Sequence, residues 1–312
     1  MKPSARKKRP NIRLILLALA VALSLPPRPS TALPAEHIER GHYLFDAAGC
    51  LGCHTDKKNH GAPLSGGREL MTPFGVYFSP NITPDPETGI GKWDDADFLR
   101  ALRYGKSPKD EHYFPVFPYT SYTRMTDADI IDIKAYIFSL PAVTKANRKH
   151  QAGLVFGSRF MVGPWKLINF NAGMMPLVPG RGNIWNRGAY LVEALGHCAE
   201  CHTPRDKLGG FQRHNHMSGT KKGPGNELIP NITPDKETGI GKWTDADLMS
   251  LFTIGLLPDG DFVGGGMAEN VTNTTSKWTK EDMAAVIVYL KSLRAIKNQV
   301  KKRQKSGGDD LY

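Results

Sequence analysis

The sequence predicts a mainly α-helical chain in which one domain is written twice. Three observations carry this. The stretch Asn81–Trp93, Asn-Ile-Thr-Pro-Asp-Pro-Glu-Thr-Gly-Ile-Gly-Lys-Trp, returns almost unchanged as Asn231–Trp243, 150 residues later. The pentapeptide Cys50-Leu-Gly-Cys53-His54 returns as Cys198-Ala-Glu-Cys201-His202, 148 residues later. Around these landmarks apolar residues recur at helical spacing, and no segment shows the alternation that would predict a strand.

Each copy opens with a helix leading into its pentapeptide. Ile38, Gly41, Phe45 and Ala48 share one helical face, and Trp185, Gly188, Val192 and Leu195 take the equivalent places. A glycine inside a helix costs on the order of 1 kcal/mol against alanine, so Gly41 and Gly188 are expected where another backbone approaches closely. The expected partner is the last helix of each copy, striped by Ile130, Ile133, Ile137 and Leu140 and again by Met283, Val286, Leu290 and Leu293. Thr126 with Asp129, and Thr279 with Asp282, supply capping pairs at its start; Asp94 with Asp97 and Thr244 with Asp247 do so for a shorter helix after each tryptophan.

The pentapeptides carry the chemistry. Two cysteines two residues apart, followed at once by a histidine, form a covalent haem-attachment site. The thiols add across the two vinyl groups, and the imidazole becomes the proximal iron ligand. A paired zinc site would want its halves about 15–20 residues apart, and no βαβ pattern favours a redox dithiol. The chain has 4 cysteines and the two motifs use all of them, leaving none for disulfides. Cys50, Cys53, Cys198 and Cys201 are therefore assigned to two haem c groups, with His54 and His202 as axial ligands.

Composition sets the compartment. Lys2, Arg6, Lys7, Lys8, Arg9 and Arg13 precede or open an apolar run, Leu14 to Leu25, which is too short for the roughly 20 residues of a membrane span and reads as a secretory signal. Cleavage after Ala32 would remove seven of the 41 basic residues, leaving 34 against 30 acidic ones. That balance gives no reason to expect nucleic acid. The expected organisation is a signal peptide at 1–32, a first domain at 33–140, a connector at 141–186, a second domain at 187–293 and a basic, disordered tail at 294–312. In the connector, Phe156, Phe160, Trp165, Phe170, Met174, Met175 and Trp185 are too apolar for a flexible linker, so it is expected to pack across both domains. The tail offers a candidate peripheral contact with a membrane or an acidic partner.

The sixth ligand decides what each iron does, because methionine closes the site and raises the potential. In the second copy the candidate is Met267, in Gly264-Gly-Gly-Met267, with Met217 as a competitor. The 150-residue displacement carries Met267 onto Phe117, which cannot bind iron; Met125, Met71, His60 and His112 remain as first-copy candidates. Weaker expectations attach to Pro204 or Pro63, whose carbonyl would orient a proximal imidazole, to Arg205 as a propionate partner, to His197 as a surface or propionate-bonding residue, and to His214 and His216 as a solvated patch. Asn81, Asn231, Trp93 and Trp243 either meet propionates or serve turns and packing.

The run Gly41, Cys50–His54, Asn81–Asp85, Phe117-Pro-Tyr-Thr-Ser-Tyr-Thr-Arg-Met125-Thr-Asp-Ala-Asp and Gly196-His-Cys198-Ala-Glu-Cys201-His202-Thr-Pro-Arg205 resembles the multihaem cytochrome c subunits of bacterial membrane-bound alcohol, aldehyde and gluconate dehydrogenases. The resemblance implies two tandem class I cytochrome c-like domains in a periplasmic protein. It would accept electrons from a dehydrogenase catalytic subunit and pass them to an oxidase, the quinone pool or another cytochrome. Family members with phenylalanine at the place of Phe117 carry methionine at the place of Met125, which favours Met125 as ligand. The chain departs from the alcohol dehydrogenase subunits in showing no third CxxCH and no clear C-terminal anchor. The rival expectation, kept alive by Phe117, is a dihaem redox enzyme of peroxidase or thiosulfate-oxidising type with one open or unusually ligated haem.

Overall fold

In a computed structural model the described residues are 34–153 and 157–300. The expected signal peptide, Phe156 and most of the basic tail lie outside them. The first helix, α1 (Ala35–Ala47), runs into α2 (Cys50–His54), the first pentapeptide. After α3 (Asp95–Tyr104) and the short α4 (Tyr119–Tyr122) comes α5 (Asp127–Ser139), which packs along α1. The connector contributes α6 (Arg159–Asn169). The second copy repeats the plan: α7 (Asn183–Tyr190), α8 (Ala199–His202) at the second pentapeptide, α9 (Asp245–Ile254), α10 (Gly265–Asn273) and α11 (Lys280–Ser292), which packs along α7.

The two glycines do what their cost suggests. A methyl group on Gly41 would sit 1.9 Å from the Asp132 carbonyl oxygen on α5, and one on Gly188 1.9 Å from that of Ala285 on α11. Only a hydrogen lets these backbones meet. The predicted caps form as well: Thr126 accepts from the Asp129 amide and Thr279 from the Asp282 amide. Thr244 and Asp247 complete a reciprocal capping box, and Asp94 caps α3.

At the last helices the capping box is only half made, because the acids are used elsewhere. Arg40 on α1 pairs with both Asp129 and Asp132, and Arg187 on α7 pairs with Asp282. The same aspartates then join the two copies. The Tyr190 hydroxyl donates to Asp129 and accepts from the Thr126 amide, while the Tyr43 hydroxyl donates to Asp282 (2.5 Å) and accepts from the Thr279 amide. Each copy's first helix thus reaches across to the capped start of the other's last helix. From Ala35 onward the described residues form one compact unit.

Three differences from expectation have physical causes. A small antiparallel sheet, β1 (Glu69–Thr72), β2 (Gly75–Phe78) and β3 (Gln151–Ala152), was not legible, since strands this short hold too little alternation. The connector is only partly buried. Lys166 donates to the Tyr104 and Gly105 carbonyls and Trp165 to that of Leu208, tying α6 to both copies, yet Phe160 is 81% exposed and Met174 54%. The tail begins ordered: the Ile296 carbonyl accepts from Asn231, and Asn298 donates to the carbonyls of Ser218 and Gly219.

Gly188→Ala should therefore destabilise the holoprotein by at least roughly 1–3 kcal/mol, the ordinary cost of overpacking. Denaturant melts would check this against Gly182→Ala, where an added methyl meets open space.

Candidate functional site

Each pentapeptide follows directly from the first helix of its copy, but the two approaches differ. In copy one, Gly49 adopts a left-handed conformation (φ 67°) between α1 and α2. In copy two, α7 widens into a π-helical turn at Leu191–Leu195, and the Gly196 amide bonds back to Leu191. Irregular turns of this kind commonly accompany functional sites.

Both histidines are held alike. The His54 Nδ1 lies 2.8 Å from the Pro80 carbonyl oxygen, and the His202 Nδ1 lies 2.8 Å from that of Pro230. A carbonyl can only accept, so Nδ1 carries the proton and the lone pair remains on Nε2. Burial lowers both pKa values, against the opposing effect of the carbonyls, and favours the neutral ring. A neutral imidazole with Nε2 free and Nδ1 anchored is the form that ligates a metal. The expected carbonyls of Pro204 and Pro63 are not the ones used. Pro80 and Pro230 immediately precede the repeated asparagines at the same displacement, and that register was the signal that could have found them.

The repeated loop earns its conservation between copies through turns. Asn81 donates to Thr88 and to the Val143 carbonyl while its own oxygen accepts from Thr83; Asn231 does the same with Thr238, Ile296 and Thr233. Each loop is pinned by the chain leaving the last helix, and each pin holds the proline that orients the histidine. Trp93 and Trp243, Ile82 and Ile232, and Leu99 and Met249 are only partly buried against the core, as are Cys50, Leu51 and Cys198 of the pentapeptides. Paired cysteines, a free Nε2 and this half-covered apolar rim suit a flat, largely apolar macrocycle.

Other predicted residues fall as follows. Met267 is half-buried on α10. Met125 is fully buried, directly before the Thr126 cap, where copy two has Trp278. Met217 is fully buried with a left-handed backbone (φ 60°) and matches Leu64 (φ 60°): their amides bond Thr203 and Thr55, and their carbonyls accept from Ile232 and Ile82. Met71 is 61% exposed on β1. His60 caps a 3-10 turn, and the His112 carbonyl accepts from Arg159. Arg205 pairs with Glu200 and stacks on Phe211, and His197 packs edge-on against Tyr122. Of the expected solvated pair, His214 is exposed, while His216 is half-buried and bonded: burial opposes its protonation, but Glu193, 2.8 Å away, raises its pKa overall.

A model of the cytochrome c family matches residues 38–141 and 186–294, one match for each copy. The chain belongs to the cytochrome c family. The cytochrome is 40% identical over 298 residues to a dihaem c-type cytochrome of Cereibacter sphaeroides, covering 92% of this chain and 97% of that protein. It is 35% identical to the fructose dehydrogenase cytochrome subunit of Gluconobacter japonicus (90% of this chain, 58% of that protein). It is 34% identical to the cytochrome c subunit of a quinone alcohol dehydrogenase of Gluconobacter oxydans (83% and 55%). The cytochrome thus spans nearly all of the first relative and a little over half of the other two. It carries two haem c groups in two cytochrome c-like domains. No helix among the described residues is long and apolar enough to cross a membrane.

One acid group makes the loop around Pro80 sensitive to pH. Asp85 accepts from Thr144 and from the amide and hydroxyl of Thr88, which pulls its pKa down to about 2. A depressed carboxylate contributes stability above its ordinary value of 3.8 and loses it as the pH falls through the depressed one. Asp85→Asn should flatten the dependence of stability on pH between about pH 4 and 2. Denaturant midpoints across that range would measure the change.

Proposed function

We propose that this cytochrome works outside the cytoplasm, taking electrons from a partner dehydrogenase and passing them towards the respiratory chain. The observation that carries this is the pair of identically prepared histidines, each with Nδ1 on a proline carbonyl and Nε2 available. In this reading Cys50 and Cys53, and Cys198 and Cys201, hold the two haems by thioether bonds, while His54 and His202 take the proximal positions. Haem iron supplies the reversible one-electron chemistry, and the protein supplies orientation, ligation and burial. The relatives named as dehydrogenase cytochrome subunits support a dehydrogenase as donor. An oxidase, the quinone pool or another cytochrome fits as acceptor, and the location is periplasmic, with peripheral contact at the inner membrane through the basic tail.

Met267 is proposed as the sixth ligand of the second haem. It stands on α10, half-buried and outside the apolar core cluster. For the first haem the proposal carries Met125 into the same role.

A second reading has its own support. Phe117 stands where copy two has Met267, and Met125 is fully buried at the place of Trp278, a packing position. If Met125 only packs, the first iron is open and the protein is a dihaem redox enzyme. Carbon monoxide separates the two: a carrier with both irons closed binds none at the reduced protein, whereas an enzyme binds one equivalent. Under the carrier reading, Met125→Ala opens one haem to carbon monoxide and lowers one of the two potentials in a redox titration. An unchanged titration removes Met125 from the ligand set.

A further inference from the structure

The helix that carries Met267 does not rest on its own domain alone. Its N-terminal end is met by Glu227, which accepts from the Gly266 amide (3.2 Å). Its middle and end lie against α2, the first pentapeptide, in the other copy. Glu269, two residues after Met267, forms a two-pronged ion pair with Arg68, one prong at 2.7 Å. Arg68 also donates to the Gly52 carbonyl (2.5 Å), inside Cys50–His54. Lys57 donates to the Asn273 side chain (3.0 Å) at the far end of the same helix.

A continuous bonded path therefore runs from the Gly52 carbonyl through Arg68 to Glu269 and on to Met267. The reverse connection is also present. Thr120 and Ser121, from the segment between Phe117 and Met125, donate to Glu200 (2.6 and 3.0 Å), inside Cys198–His202. The distal segment of each copy is thus bonded to the attachment peptide of the other.

We propose that the Arg68–Glu269 pair is a cross-domain latch that positions the Met267 helix, so that closure of the second haem depends on the first copy. This rests on Met267 being a ligand, as proposed above. The argument is geometric. α10 has only 9 residues, opens on Gly264, Gly265 and Gly266, and has no side-chain cap of its own. A helix so short does not hold its place unaided. A planar guanidinium that meets a carboxylate on two prongs fixes orientation as well as distance. The pair is about one-third exposed on each side, 32% and 30%, so solvent weakens it without abolishing it. Arg68 and Glu269 are positioning residues; neither need touch the haem.

The test uses the dihaem protein and reads the second haem directly. Reduced haem with a methionine ligand gives a strongly upfield-shifted methyl resonance, and the one lost in Met267→Ala belongs to the second haem. Exogenous imidazole competes with the methionine at ferric iron, so its affinity reports how firmly the ligand is held. Glu269→Gln and Arg68→Gln should each raise imidazole affinity at the second haem about tenfold, the effect of losing one charge-assisted contact. The double variant should add little to either, and Arg68→Glu with Glu269→Arg should recover part of the loss. A merely structural defect would lower the melting temperature and leave imidazole affinity unchanged. If Met267→Ala removes the resonance while both single variants bind imidazole as the parent does, the latch is wrong. If Met267→Ala retains every upfield-shifted methyl resonance of the parent, the ligand assignment has failed and the latch falls with it.

Discussion

Backbone contact between the first and last helix of each copy is the constraint on which the rest of the structure depends. It exists because Gly41 and Gly188 lack a Cβ where the carbonyls of Asp132 and Ala285 approach. At that separation the helices cannot slide or rotate without collision. The C-terminal end of α1 or α7 then delivers the pentapeptide, and the N-terminal end of α5 or α11 delivers Asp129 or Asp282, in a fixed mutual arrangement. Tyr43 and Tyr190 stand two residues beyond the glycines and find the other copy's aspartate within hydrogen-bond reach. The geometry inside each copy therefore sets the geometry between copies.

That clasp is worth more than its count of bonds suggests, because each aspartate is already paired. Burial alone would raise the Asp282 pKa, but the bonds from Arg187 and Tyr43 outweigh it and lower the value overall. The carboxylate stays ionised at neutral pH and holds two donors from two copies at once. Burial pushes the Tyr43 hydroxyl up to about 12, so it remains a donor across the working range. A network satisfied in this way keeps one arrangement, since any other leaves a buried charge unpaired.

Much of this was legible in the sequence. The repeat gave the two domains, the glycines gave the helix crossing, and Thr126 and Thr279 gave the helix starts, because each rests on local chemistry or a fixed period. What was not legible depends on partners far apart in the chain. Asp129 and Asp282 look like the second halves of capping boxes, and only the fold shows them diverted to Arg40, Tyr190, Arg187 and Tyr43. Arg205 looked free for a propionate but is held by Glu200. The propensity of the connector to bury itself was overstated for Phe160, since hydrophobicity alone does not say which face of a helix meets protein.

The duplication kept the bonds that prepare each histidine and let the positions proposed for the sixth ligands differ. On the histidine side, Pro80 and Pro230, Asn81 and Asn231, and Leu64 and Met217 occupy matched positions with matched bonds. Elsewhere the copies differ: Phe117 stands at the place of Met267 and Met125 at that of Trp278, around the proposed distal ligands, and Gly52 stands at the place of Glu200 inside the pentapeptides themselves. The two differing pentapeptide residues take part in the contacts between copies: the Gly52 carbonyl accepts from Arg68, which pairs with Glu269 of the second copy, and the Glu200 side chain accepts from Thr120 and Ser121 of the first. Once a distal segment is bonded to the neighbouring copy, its sequence answers to that neighbour as well as to its own haem. The bond that prepares each histidine is common to both copies; the proposed distal segments and the contacts they make across the copies are where the two domains become unlike.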